Sequence, residues 1–524
     1  MPDHARMPQR VRLPDFAGRV LSLPDTPAAW ERLRSGPALL LLGLGPGRVW
    51  ELPLARDNAD VFWLEEPETL RRLEAAQPGI ERRLPGHWRR ITSEQAVELA
   101  GRCSVLFYRP GLRLAPDFWG PLLGRVSAAL LTEQRGTMQP AEQGGCGPAL
   151  LPGTDRHLLH LELRQALGAA GFGPVLEAVP PCGDAAQLVR AWEQLLAGRR
   201  PALLLSVNLR GLDPEGRLFY LCRALGVPVA LWFVDNPWHL LSSLRLPWWR
   251  EAALFVTDAS FIPGLRAAGA RRVWHLPLAV APQMWRELPD EKEAARLALH
   301  PPLFVGRSAF PERERFFAAA RVPSALHEEA RDLLERASGP ADGPHFHWWL
   351  QKLAVSPWPG QDVRCAGLGA ELCSQDNRAR WVRAGLPAGL RVAGDAGWRN
   401  LLPGCDVLPP VDYYTALPEC YGRAGAVLNV TSLLLPRSLS QRHFDVWAAG
   451  GLLLSDATPG LDIFPAALTR PMTLRGPAEL PSRLAELRAD PVRALELRRS
   501  WREHLRAAHT YAHRVARIRE ALAL

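Results

Sequence analysis

The sequence predicts an α/β protein built on two parallel-sheet domains, with a smaller α/β unit ahead of them. Between residues 147 and 280, short apolar runs alternate with amphipathic stretches of helical length. The order is PALLPG, a helix from Asp155 to Ala170, PVLEAV, a helix from Asp184 to Ala197, PALLLSV, a helix from Pro214 to Leu225, VPVALWFVDNP, a helix to Glu251, ALFVTD, another helix, and RRVWHLPLA. Strands alternating with helices of this length mean parallel strands joined by right-handed crossovers, a Rossmann-like domain. A second series opens near residue 301 with PPLFVG. Within it, NVTSLLLPRSLSQRHFDVWAAGGLLLSD (residues 429–456) reads as strand, loop, amphipathic helix, Gly-Gly turn and buried strand. Gly450 and Gly451 end that helix, because a left-handed cap is least strained in glycine. The following strand delivers Ser455 and Asp456 to its carboxyl end, the edge at which open parallel sheets bind ligands.

The first 131 residues form a block of their own. PALLLLGLG, ADVFWLEEP and SVLFYRPG read as three strands of an accessory α/β domain. The loop Gly43-x-Gly45-x-Gly47 has the look of a phosphate cradle, but Pro46 removes one amide donor and residues 48–52 start a helix poorly. A polar, glycine-rich stretch, residues 132–148, reads as a linker. The expected plan continues with a first Rossmann-like domain over 149–280, a hinge over 281–300, a second Rossmann-like domain over 301–480 and terminal helices over 481–524.

Composition narrows the function classes. At 524 residues the chain is too long for one core, and 47% hydrophobic with 22% charged residues excludes fibre, coiled-coil and disordered classes. No apolar run reaches the ~18 residues needed to cross a bilayer, and the start, MPDHARMPQRVRLPDF, lacks the apolar core of a signal peptide. The expectation is a cytoplasmic protein with at most peripheral contact at the inner face of a membrane. The eight cysteines show no metal-ligand or CxxC spacing and read as reduced and structural. Net charge is +9, but Lys292 and Lys352 are the only lysines. Such an arginine skew, beside abundant Ala, Leu, Gly and Pro, is a codon-bias signature, so the basic balance does not argue for nucleic acid as a partner. The arginine-rich stretch 493–519 carries an apolar stripe (Leu495, Leu497, Trp501, Leu505, Val515, Ile518) and reads as solvated terminal helix.

The 429–456 segment resembles the sugar-nucleotide half of a GT-B glycosyltransferase, most closely the CgeB-like (spore-maturation) branch, in its Asn-Val, Gln-Arg-x-Phe-Asp, Ala-x-Gly-Gly and Leu-x-Asp elements. ALWFVDNPWHL and HLPLAVAPQMW resemble the matching strand end and hinge of the same family, so the resemblance spans residues 150–470. It implies a GT-B fold, with two Rossmann-like domains facing a cleft, and transfer of a sugar from a nucleotide-sugar to a glycan, lipid-linked or protein acceptor. No metal and no cofactor beyond the nucleotide-sugar co-substrate are implied. In the broader group, a Glu-x7-Glu pair opens the helix and its second acid holds the donor ribose. Asp445 falls on that second acid and is expected at a cleft edge. The first falls on Arg437, a departure from the pattern. A non-catalytic sugar-nucleotide-binding scaffold and a sugar-nucleotide epimerase are the alternative readings.

The candidate site residues follow from strand ends and from this resemblance. The strand ending at Val234 delivers Asp235 and Asn236, and Pro237 suits the first turn of the next helix. Either residue caps that helix, worth about 1 kcal/mol, or Asp235 with His239 meets the acceptor or the transferred sugar. Thr257, Asp258 and Ser260 recur at the next strand end. Gly306 lets the backbone approach a ligand, and Arg307 and Arg313 are candidates for neutralising the leaving diphosphate. Arg313 and Arg315 also fit a solvated helix face with Glu312 and Glu314. Gly394 lies in a glycine-containing loop expected beside the base or diphosphate, and Tyr413 and Tyr414 precede a helix where either packing or ligand contact suits them. Asn429, Gln441, Gly450 and Gly451 complete the expected nucleotide-sugar contacts. Arg442 lies one turn from Asp445: they form an ion pair, or Arg442 reaches a phosphate while Asp445 holds the ribose.

Overall fold

The computed structural model describes residues 11–46, 49–135, 146–177 and 200–524. Gly47, Cys182, most of the expected linker and the helix expected over 184–197 lie outside the described residues. The amino-terminal unit opens with an antiparallel ribbon, β1 (Arg12–Pro14) and β2 (Val20–Ser22). Five strands follow: β3 (Trp30–Arg34), β4 (Ala38–Leu42), β5 (Val61–Leu64), β6 (Arg89–Arg90) and β7 (Cys103–Tyr108), in the order β3-β7-β4-β5-β6. Leu39 to Leu42 are wholly buried, which is why this run reads as continuous leucine. The glycine loop after β4 is a structural corner. The Leu44 amide donates to Glu65 Oε2 at 2.7 Å, so a protein carboxylate already takes the place of a phosphate there.

The first large sheet contains β8 (Gly147–Leu150), β9 (Phe172–Leu176), β10 (Leu203–Val207), β11 (Val229–Phe233), β12 (Ala253–Val256) and β13 (Arg272–His275). All are parallel, in the order β13-β12-β11-β10-β8-β9. The second contains β14 (Leu303–Val305), β15 (Arg391–Ala393), β16 (Val407–Leu408), β17 (Val427–Asn429), β18 (Leu453–Asp456) and β19 (Thr473–Leu474). Its order is β16-β15-β14-β17-β18-β19, again all parallel. These are two Rossmann-like parallel-sheet domains behind a small α/β unit, the α/β class that the sequence predicts.

Local chemistry explains where elements depart from expectation. The helix expected from Asp155 begins at His160, because His157 Nδ1 accepts from the Thr154 amide at 3.0 Å and holds a turn. The helix expected to reach Glu251 stops at Leu241, and Pro247 starts a separate 3-10 turn. Residues 132–135, assigned to the linker, continue the Pro116–Arg135 helix, and β8 starts at Gly147 inside the expected linker. The terminal helices are not a solvated appendage. Trp501 of the Pro491–Ala508 helix stacks on Trp447 with ring centroids 5.0 Å apart, and Arg498, Tyr511 and Arg514 are buried. No described helix is long and apolar enough to cross a membrane.

Two features fasten the amino-terminal unit to the first Rossmann-like domain. Arg217 Nη1 contacts both carboxylate oxygens of Glu31, at 2.6 and 2.7 Å, in a largely buried pair. The Pro116–Arg135 helix crosses Tyr220 at Gly120 and Gly124, where a Cβ would lie 2.2 Å from the Tyr220 ring and 2.3 Å from its carbonyl oxygen. Gly124→Ala should therefore lower unfolding free energy by about 1–3 kcal/mol through overpacking. Urea titration checks this, and an unchanged midpoint would show that the two units do not depend on that crossing.

Candidate active site

In the second sheet the chain steps outward from β14 through β15 to β16, then returns to β17 on the other side of β14. The crevice outside the carboxyl ends of β14 and β17 is the ligand-binding position of such sheets. Arg442, on the Arg442–Ala448 helix, projects there. Its Nη1 donates to Val305 O at 2.7 Å and its Nε to Asn429 Oδ1 at 3.0 Å, with the guanidinium over the Phe304 ring. No ion pair with Asp445 forms, and its remaining terminal nitrogen has no partner among the described residues. Asn429 is fully buried. It donates to Ser455 Oγ at 3.1 Å and accepts from Ser440 Oγ at 2.7 Å, so it aims Arg442 and does not itself face a ligand.

Arg307, immediately beyond Gly306, is exposed and also without a partner among the described residues. The other expected cations are occupied: Arg313 donates to Gln375 Oε1 at 3.0 Å, and Arg315 pairs with Glu312 on the surface. The glycines near the crevice answer to packing. A Cβ on Gly394 would lie 2.3 Å from Gly306 O, and one on Gly451 2.6 Å from Tyr421 O, while Gly450 (φ +79°) is the left-handed cap.

Asp445 is not at an open cleft edge. It is 1% exposed and its oxygens are taken: Oδ1 by the Ala281 amide (3.1 Å) and Gln441 Nε2 (3.0 Å), Oδ2 by the Tyr413 hydroxyl (2.7 Å). Gln441 Nε2 also donates to Ala279 O at 2.6 Å, and Tyr511 donates to Gln441 Oε1 at 3.0 Å. Nearby, Glu162 of the first domain accepts from Tyr414 at 3.2 Å and from Gln283 at 3.1 Å. A ring of amides and phenols thus joins both domains, the hinge and the last helix around two acids. Burial pushes the Asp445 carboxyl up to about 7, against its hydrogen bonds, and raises Glu162 as well.

The facing edge of the first sheet supplies Asp235. It accepts from Asn208 Nδ2 at 2.7 Å, while Asn208 Oδ1 accepts from the Val234 amide at 3.0 Å. Asn208 and Leu209 both have positive φ, +54° and +62°, strain of the kind that collects at functional sites. The Asp235 carboxylate reaches solvent yet is hemmed in by the surrounding domains, and that crowding raises its pKa. The helix cap is Asn236, whose side chain accepts from the Trp238 amide, so Asp235 is free of that duty.

His239 is enclosed and not open to the crevice. It is 6% exposed, boxed by Phe310, Phe316, Phe317 and Phe346, and burial drives its pKa down to about 3.

Three residues that the sequence reading passed over also stand between the domains. Arg210 is half-buried with no acid partner among the described residues. His347 Nε2 lies 2.9 Å from Ser260 Oγ, which donates to Asp258 Oδ1, and Asp258 Oδ2 accepts from the Arg437 amide at 2.8 Å. Burial holds His345 and His347 near 4, so both are neutral at pH 7. Their sequence signal was His-x-His just before Trp348. Among the described residues one group has metal-ligand proximity, Asp155, His160 and Glu177, but Arg164 already bridges both acids, at 3.1 and 3.4 Å.

Residues 349–520 match the model of a glycosyl transferase-like domain. That domain holds Arg437, Arg442 and Asp445. No curated protein matches the chain. Among solved structures, T4 phage BGT in complex with UDP and Mn2+ is similar at 10% identity and TM-score 0.38, over 72% of this chain and all of its own. The DNA modifying enzyme β-glucosyltransferase, solved with and without uridine diphosphoglucose, gives TM-score 0.39 at 10% identity over the same shares. An α,α-trehalose 6-phosphate synthase from Burkholderia multivorans gives 0.35 at 11% identity, over 72% of this chain and 96% of its own.

The raised Asp445 pKa has a stability consequence. The folded state holds this proton more tightly than the unfolded chain, so the contribution is full below about pH 4 and is lost as pH rises through 7. Asp445→Asn, which keeps the shape and stays neutral, should flatten the fall in thermal midpoint between about pH 5 and 8, by an amount equivalent to roughly 2 kcal/mol. Parallel midpoint-versus-pH curves for the two proteins would rule out Asp445 as a titrating group of that range.

Proposed function

We propose that the protein is a glycosyltransferase of the GT-B kind, akin to the CgeB-like branch, that uses a nucleotide-sugar donor and a glycan, lipid-linked or protein acceptor. The observation that carries this reading is the pair of acid-free arginines, Arg442 and Arg307, flanking the crevice at the end of β14. Nucleoside diphosphate gains negative charge as the glycosidic bond to it breaks, and preformed cations aimed at that position stabilise the change. Asn429 and the Val305 carbonyl fix Arg442 beforehand, so little reorganisation accompanies the reaction. No step of this scheme calls for a metal ion.

Asp235 is the proposed base across the gap. A crowded carboxylate with raised pKa takes the acceptor hydroxyl's proton more readily than a fully solvated one. The oxygen then bonds to the anomeric carbon as nucleoside diphosphate departs with its electron pair. Asp445 serves by positioning: its bonds to Ala281 and Tyr413 hold the hinge that sets the distance between the sheets. Arg437, in place of an acid, is the feature favouring a second reading, a binding protein without turnover.

A screen of nucleoside diphosphates by thermal shift, followed by turnover of the matching nucleotide-sugar, tests the proposal. Arg442→Leu should weaken diphosphate binding about 10-fold or more, with folding unchanged. Asp235→Asn should leave that affinity alone while slowing transfer on the order of 100-fold. Nucleotide binding with no transfer to any acceptor would select the binding-protein reading, and equal affinity in Arg442→Leu would remove the arginine from the site.

A further inference from the structure

We propose that Arg498 holds a small monovalent anion, of halide size, in a cavity beneath the second Rossmann-like sheet. Arg498 lies on the Pro491–Ala508 helix and is 1% exposed. Its guanidinium makes no hydrogen bond and no ion pair with any described residue, and its Nε and Nη2 are fully enclosed and unpartnered. The cavity it lines is bounded by Pro302, Ala426 and Leu452, the residues just before β14, β17 and β18. The site is thus at the amino ends of the strands, away from the nucleotide crevice.

The remaining polar groups of the lining do not neutralise the charge. Arg488 is a second cation, with one bond to Ala388 O, and His300 Nδ1 is engaged with Arg423 O. No carboxylate of the described residues lines the cavity. A guanidinium stays protonated at neutral pH, here even with burial lowering its pKa to about 10, so it has no escape through deprotonation. A buried charge without a counter-charge is strongly unfavourable. Water would satisfy a donor but leave the charge. Beside the guanidinium there is room for about one water-sized sphere, which suits a single halide-sized ion.

The test compares thermal midpoints in sodium chloride or bromide with those in sodium gluconate at equal ionic strength, for the wild type and Arg498→Met. The wild type should gain a saturable rise of about 1–3 °C with either halide, and Arg498→Met should show none. Crystals soaked in bromide should give an anomalous peak in contact with the Arg498 guanidinium. A wild type indifferent to halide, the same response in the variant, or a bromide map with no peak there would overturn the proposal. Should Arg498→Met fail to fold, the wild-type titration and the bromide map decide it alone.

Discussion

The relation between the two large sheets depends on one buried carboxylate. Asp445 gathers the Ala281 amide, the Gln441 side chain and the Tyr413 hydroxyl, and Gln441 passes the connection on to Ala279 and Tyr511. Hinge, second domain and last helix therefore meet at a point, and Arg514 reinforces it from the last helix with bonds to the carbonyls of Pro277 and Leu278. An acid taken out of water is tolerated only when its lone pairs are satisfied, and such a network is specific about geometry because every member has to be in place. It contributes in this way to how the two carboxyl edges are held relative to each other.

That constraint gives the chemistry of the crevice its form. Arg442 lies on the same short helix as Asp445, so the group that anchors the hinge also fixes the helix that carries Arg442. Opposite, Asp235 sits at the end of β11, steadied by Asn208 from the neighbouring strand end. Strain in the Asn208-Leu209 turn is the local cost of placing that amide between Val234 and Asp235. Between the edges, Asn236 to Leu434 O and Arg437 to Asp258 cross directly from one domain to the other. Sequence, hinge and site are linked in this way through a handful of side chains.

Much of the fold was legible because parallel strands buried on both faces are written as short apolar runs, as in Leu203–Val207 and Val229–Phe233. The ribbon β1–β2 and strand β3 were not, since three- to five-residue strands with alternating exposed and polar residues carry no such signal. At the site, strand ends pointed to Asp235 and the resemblance to Arg307 and Arg442, and all three lie where the chain's local course puts them, beside the carboxyl ends of β11, β14 and β17. The surroundings of Asp445 and His239 were misjudged, because burial there draws on residues far along the chain: Ala281 for one, Phe310, Phe346 and the helix at Gly367 for the other. The terminal arginines misled for the same reason. Their charge reads as solvent-facing, yet Arg498 and Arg514 turn inward on a helix face that only tertiary packing covers.

The measurement that bears most directly on this account is a crystal structure with a nucleoside diphosphate bound. The account predicts the two phosphates outside the carboxyl ends of β14 and β17, within hydrogen-bond distance of Arg442 and Arg307, with Asp445 still bonded to Ala281 and Tyr413. Phosphates bound elsewhere on the surface, with Arg442 untouched, would contradict it.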